Sequence, residues 1–98
     1  MKRLFISQPM NGRTDEEIKE ERKKILQEVT EQLKEPVEEI DSFFEKAPHD
    51  ARPLWFLAKS LELLSTADIA YFADGWENAR GCRIEHECAK EYGIDRID

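Results

Sequence analysis

Glycine and proline are scarce, with four of each in 98 residues. So few breakers exclude a low-complexity or collagen-like chain and leave room for long regular elements. Cysteine is scarcer still, and Cys82 and Cys88 lie six residues apart on one predicted helix, on different faces. They cannot easily bridge, and read as reduced thiols of a cytoplasmic protein. No apolar run approaches the roughly 20 residues of a membrane span, and no signal peptide is recognisable, so no membrane partner is expected. Positive charge is outweighed, 15 Lys and Arg against 22 Asp and Glu, for a net charge of -7. That balance excludes a general binder of polymeric nucleic acid, which must neutralise a row of phosphates. A single small anionic ligand remains allowed, because local backbone dipoles can outweigh the global field.

What is present is 40% hydrophobic and 38% charged residues, the composition of one globular domain spanning 1–98. Residues 2–6 form a short predicted strand, left by the loop Ser7, Gln8, Pro9, Met10, Asn11, Gly12 and Arg13. Thr14 then starts a helix as N-cap, with Glu17 completing a capping box and Asp15 and Glu16 at the positive end of the dipole. Ile18, Ile25, Val29 and Leu33 recur at helical spacing, with Lys, Arg and Glu on the other side, as in a helix packed on a sheet. Pro36 ends it, and 37–40 reads as an edge strand. The stretch 41–52 has no clean period and reads as a loop or lid, its Phe43 and Phe44 either tucked under it or stacked on a ligand. Pro53 fits the first turn of a helix running to Ser65, apolar on more than one side. One face must cover the sheet and another is expected to meet a second subunit, as a homodimer or higher homo-oligomer.

The chain is organised around Asp74 to Ala89, which passes from the apolar strand 69–73 through a polar turn into a helix that begins near Asn78. Gly75 and Asn78 punctuate the turn, and Gly81 lets the helix approach a backbone or ligand closely. Glu85 falls on the second turn of that helix, Gly93 caps it, and 94–97 is the last strand. The alternation of strand and helix demands a parallel sheet. With strand order 2-1-3-4, the direction reverses between strands 1 and 3, and the loops 7–13 and 73–80 flank the crevice where such sheets bind ligands. The helical lean of Glu85 toward its own N-terminus aims its carboxylate at that mouth.

Two motifs carry a resemblance: Ile6-Ser7-Gln8-Pro9-Met10-Asn11-Gly12 after the first strand, and Gly75-Trp76-Glu77-Asn78-Ala79-Arg80-Gly81-Cys82-Arg83-Ile84-Glu85 into the helix ending at Gly93. Together they resemble the nucleoside 2-deoxyribosyltransferase-like superfamily, in particular its short bacterial and phage members, over nearly the whole chain. The resemblance implies a flavodoxin-like, Rossmann-like three-layer sandwich and a site for a nucleoside or nucleoside monophosphate. It implies that Glu85 attacks the anomeric carbon of deoxyribose to form a glycosyl ester, which water or a second base then resolves. Its proton donor, an aspartate ahead of the third strand, is matched here by Ser60, a poor acid. Asp68 starts that strand at the wrong end, so Asp74, with Glu77, is the available substitute.

Arg13 and Arg80 sit in the two crevice loops and are candidates for holding a phosphate, with the amides of Asn11, Gly12 and the helix start; the alternative is a solvated arginine. Trp76 either walls a base pocket or packs on the helix below. Cys82 and His86 lie one turn apart, but Cys88 points elsewhere and there is no second Cys/His pair, so no metal and no cofactor is expected. Three function classes follow: an enzyme acting on the N-glycosidic bond, a non-catalytic nucleotide-binding module of the same fold, and a partner-binding protein built on the helix 53–65.

Overall fold

The computed structural model describes residues 1–44 and 46–98, and Glu45, in the irregular stretch 41–52, lies outside the described residues. Four strands, β1 (Lys2–Ser7), β2 (Val37–Glu39), β3 (Ile69–Phe72) and β4 (Asp95–Ile97), form one parallel sheet in the order β2-β1-β3-β4. Three helices connect them: α1 (Asp15–Leu33), α2 (Pro53–Leu64) and α3 (Arg80–Glu91). Alternation along β1 divides the core. Leu4 and Ile6 join Ile69, Ala73 and the α1 residues Ile25 and Val29 on one face. Phe5 joins Ala70, Phe72, Leu64 of α2 and Ala89 of α3 on the other. A central parallel strand buried on both sides needs a continuous apolar run, which Leu4-Phe5-Ile6 provides. The result is a three-layer α/β sandwich of the flavodoxin-like type.

The capping chemistry of α1 is as the sequence predicts. The Thr14 hydroxyl accepts from the Glu17 amide at 3.1 Å and the Glu17 carboxylate accepts from the Thr14 amide at 3.0 Å. The helix ends in Lys34, left-handed at φ 56°, ahead of Pro36. In the stretch after β2, Phe44 packs edge-on against Trp55 at 6.0 Å and against Phe56 at 6.3 Å. Of the two readings of these aromatics, the tucked one is observed for Phe44. Phe43 is half-buried with the Lys19 ammonium 6.0 Å from its ring centre. On α2, Leu54 stays 72% exposed. Among the described residues no helix is long and apolar enough to cross a membrane.

The polar turn expected after β3 is more ordered than a simple turn, and the helix starts two residues later than Asn78. Gly75 takes φ 86°, residues Trp76–Asn78 form a single 3-10 turn, and Ala79 is extended, so α3 starts at Arg80. An extended residue cannot propagate helical hydrogen bonds, which separates the two turns.

Candidate functional site

The end of β1 sends two consecutive polar side chains to opposite faces of the sheet, because the side-chain period of a strand is two. Ser7, in register with Phe72, points to the α3 side and Gln8 to the α1 side. Each meets a buried charged residue.

On the α3 side, the Ser7 hydroxyl donates to Glu85 Oε1 at 2.6 Å. Cys82, Glu85 and Ala89, spaced three and four apart, form the buried face of α3. The Glu85 residue is only 8% exposed. Burial pushes its pKa above the usual carboxylate range, and the Ser7 and Ser60 hydroxyls, which favour the ionised form, offset this only in part. Ser60, the residue at the expected acid position, is therefore turned toward the same carboxylate. Burial likewise raises the Cys82 thiol, with Ser7 opposing and Glu85 reinforcing the shift, so that sulfur is a poor nucleophile.

The two loops at the switch point meet. The Ala73 amide donates to the Ser7 carbonyl at 2.9 Å, and a side chain added at Gly75 would come within 3.6 Å of Pro9 Cγ. Met10, Asn11 and Gly12 are exposed on one rim, and Asp74, Glu77, Asn78 and Arg80 on the other. Trp76 packs on the helix below, one of the two roles its sequence left open. Its ring stacks on His86 at 4.0 Å and 14° and leans on Phe72 at 5.7 Å, so one of its faces is already occupied by α3. His86 in turn contacts the Asp98 carboxylate through Nε2 at 2.7 Å, and that contact holds Asp98 below its ordinary pKa. Outside its own stretch of helix, no atom lies within 4 Å of where a Gly81 Cβ would be, so the space beside it is open and no neighbouring element approaches it closely. Among the described residues no three His, Cys, Asp or Glu side chains converge as a metal would require. A shallow depression of about 550 Å³, lined by Pro48, Leu54, Trp55 and Ala58 among others, involves none of these residues.

On the α1 side is a network that the sequence reading misses. Arg22, assigned to the solvated side of α1, is 4% exposed. Its guanidinium donates to Gln8 Oε1 at 2.9 Å, Glu39 Oε2 at 2.8 Å, the Ile40 carbonyl at 3.2 Å and Ser42 Oγ at 2.9 Å. Gln8 Nε2 donates to Glu21 at 2.7 Å, and Arg13 donates to the same Glu21 oxygen at 2.7 Å and to the Pro9 carbonyl at 3.1 Å. Gln8 is thus a structural link, and Arg13 is tied down rather than solvated. The signal was in the stripe itself. Ile18, Ile25, Val29 and Leu33 leave a gap that position 22 fills, four after Ile18 and three before Ile25. A charged residue on the sheet-facing stripe must be buried with partners or break the helix's docking.

The fold and the site together define a flavodoxin-like α/β domain with a buried carboxylate at the β1/β3 switch point. By sequence, residues 2–97 match the family described as Domain of unknown function (DUF4406), and the chain belongs to that family. No curated protein and no solved structure matches it.

Proposed function

We propose that this protein is a nucleoside- or nucleotide-processing enzyme that cleaves or transfers the N-glycosidic bond of 2'-deoxynucleosides or their monophosphates, with Glu85 as nucleophile. The observation that carries the reading is a glutamate 8% exposed, hydrogen-bonded by Ser7 at 2.6 Å, at the crevice where open parallel sheets bind ligands. A buried carboxylate with a raised pKa is costly to fold around, and such groups concentrate at functional sites. The similarity of both loop motifs to the nucleoside 2-deoxyribosyltransferase-like superfamily supports the same substrate class.

In the proposed reaction one Glu85 oxygen accepts the Ser7 hydrogen bond and the other attacks C1' of the sugar. The bond from C1' to the base breaks with its electron pair passing to the base nitrogen. Asp74, on the loop after β3, is the proposed proton donor to the departing base. Water or an incoming base then displaces Glu85 and releases the sugar. Incubation with a panel of deoxynucleosides and monophosphates, resolved by chromatography, should give free base at a rate that depends on enzyme. A second reading, a nucleotide-binding module without turnover, draws on Ser60, since a serine facing Glu85 cannot protonate a leaving base as an aspartate would. Ligand binding by calorimetry without any free base would decide for that module.

We also propose that the protein is at least a homodimer, because Leu54 at 72% and Phe56 at 37% exposure lie on the same helix. Sedimentation at tens of micromolar should give a dimer or larger species. A monomer there refutes this arrangement.

A further inference from the structure

The loop 7–13 and the start of α1 are the natural place for a 5'-phosphate, yet their charge is already spoken for. Arg13, the cation of that loop, has its guanidinium 2.7 Å from the Glu21 carboxylate, with side chains 28% and 27% exposed. Glu21 is itself held in place by Gln8 Nε2 at 2.7 Å, and Gln8 by the buried Arg22. The pair is therefore anchored to the core and not an adventitious surface contact. Its Arg13 end also grips the Pro9 carbonyl, which fixes the guanidinium to the loop's own backbone. At the helix start, the amide of Glu17 is taken by the Thr14 hydroxyl, and the first turn carries Asp15, Glu16 and Glu17. Three carboxylates there oppose the dipole that would draw in an anion. Across the crevice stand the exposed Asp74 and Glu77 and the buried Glu85, with Arg80 the remaining crevice-loop cation. A phosphate dianion entering this loop meets a compensated arginine and several negative charges, whereas a neutral 5'-hydroxyl meets hydrogen-bonding groups and no repulsion.

We infer that Glu21 is a specificity-determining residue, and that by holding Arg13 in an ion pair it makes the site select the uncharged deoxynucleoside over its 5'-monophosphate. This deepens the proposed function and rests on it. Selectivity arises through a charge that rejects the wrong ligand, not through an added contact to the right one. Glu21→Gln keeps a side-chain oxygen for the Gln8 amide and removes the charge that neutralises Arg13.

Calorimetry with thymidine and thymidine 5'-monophosphate, and with deoxyadenosine and its monophosphate, tests the inference on the intact chain. The wild type should bind each nucleoside more tightly than its monophosphate. Glu21→Gln should shift that ratio toward the monophosphate by about tenfold or more, a difference of about 1.4 kcal/mol. Adding Arg13→Ala to Glu21→Gln should abolish the shift, since the freed guanidinium is its source. Glu28→Gln, the same charge change two turns along α1 where the carboxylate contacts Tyr71, should leave the ratio alone. The inference is overturned if the wild type prefers the monophosphate, if Glu21→Gln leaves the ratio unmoved, or if Glu28→Gln moves it equally. Nucleoside binding that persists alongside any of these results overturns the inference while leaving the proposed function standing. Binding of neither member of either pair overturns both.

Discussion

Glu85→Gln should lose base release by several powers of ten while becoming more stable than the parent at neutral pH. The loss follows from chemistry, because an amide cannot form the glycosyl ester that a carboxylate can. The gain follows from burial. Folding takes the Glu85 carboxyl out of water and raises its pKa, so the native state binds its proton more tightly than the unfolded chain does. For a carboxyl shifted upward, the stabilising contribution is fully present below the unfolded pKa and is lost as pH rises through the folded one. Glutamine has nearly the same shape, accepts the Ser7 hydrogen bond through Oε1 and can donate to Ser60, yet carries no charge to desolvate. The stability difference between variant and parent should therefore be small near pH 4, grow with pH and level off above the folded pKa. For a domain of this size each 1 kcal/mol moves Tm by about 4–8 °C, so thermal melts from pH 4 to 8 should resolve it. A variant less stable than the parent at pH 7, with the gap widening as pH rises, would show that the site stabilises the ionised carboxylate. Base release at the parental rate would rule Glu85 out as nucleophile.

Arg22→Met should be among the most damaging single changes in the molecule, at about 3–5 kcal/mol, the usual consequence of removing one partner from a buried ionic network. Methionine fills much of the space, and replacing a whole buried ion pair by apolar residues is often harmless. Here the partners remain. Gln8 Oε1, the Ile40 carbonyl and Ser42 Oγ would each lose a donor, and Glu39 its counter-charge. The lost anchoring of Gln8 should also loosen the loop 7–13, which hangs on it through Glu21 and Arg13. Urea unfolding gives the comparison directly. A loss below about 1 kcal/mol would mean that water replaces the guanidinium and that the network is not effectively buried.

Much of this protein was legible in the order of its residues. Strand and helix alternation, the Thr14 and Glu17 capping pair, the breaks at Pro36 and Gly93 and the unbroken run Leu4-Phe5-Ile6 are local or periodic signals, and they determine a parallel α/β sandwich, whereas the order β2-β1-β3-β4 agrees with the expected one but is set by how the strands pair. The run from the apolar strand 69–73 through a polar turn into a helix, with Glu85 on the second turn, was enough to put Glu85 near the switch point. Its depth, and its Ser7 partner 78 positions away, were decided only when α3 settled on β1 and β3. The same holds on the other face. Arg22 reads as one more charge on a charged helix until Gln8 from the end of β1, and Glu39, Ile40 and Ser42 from the end of β2 and the residues after it, converge on it. Trp76, free in sequence to wall a pocket, is committed to His86 by the way the 3-10 turn folds over α3. Periodicity places a side chain on a face. What that face meets, and so whether a charge is solvated, paired or buried, depends on contacts between segments remote in the chain, and these exist only once the layers have packed.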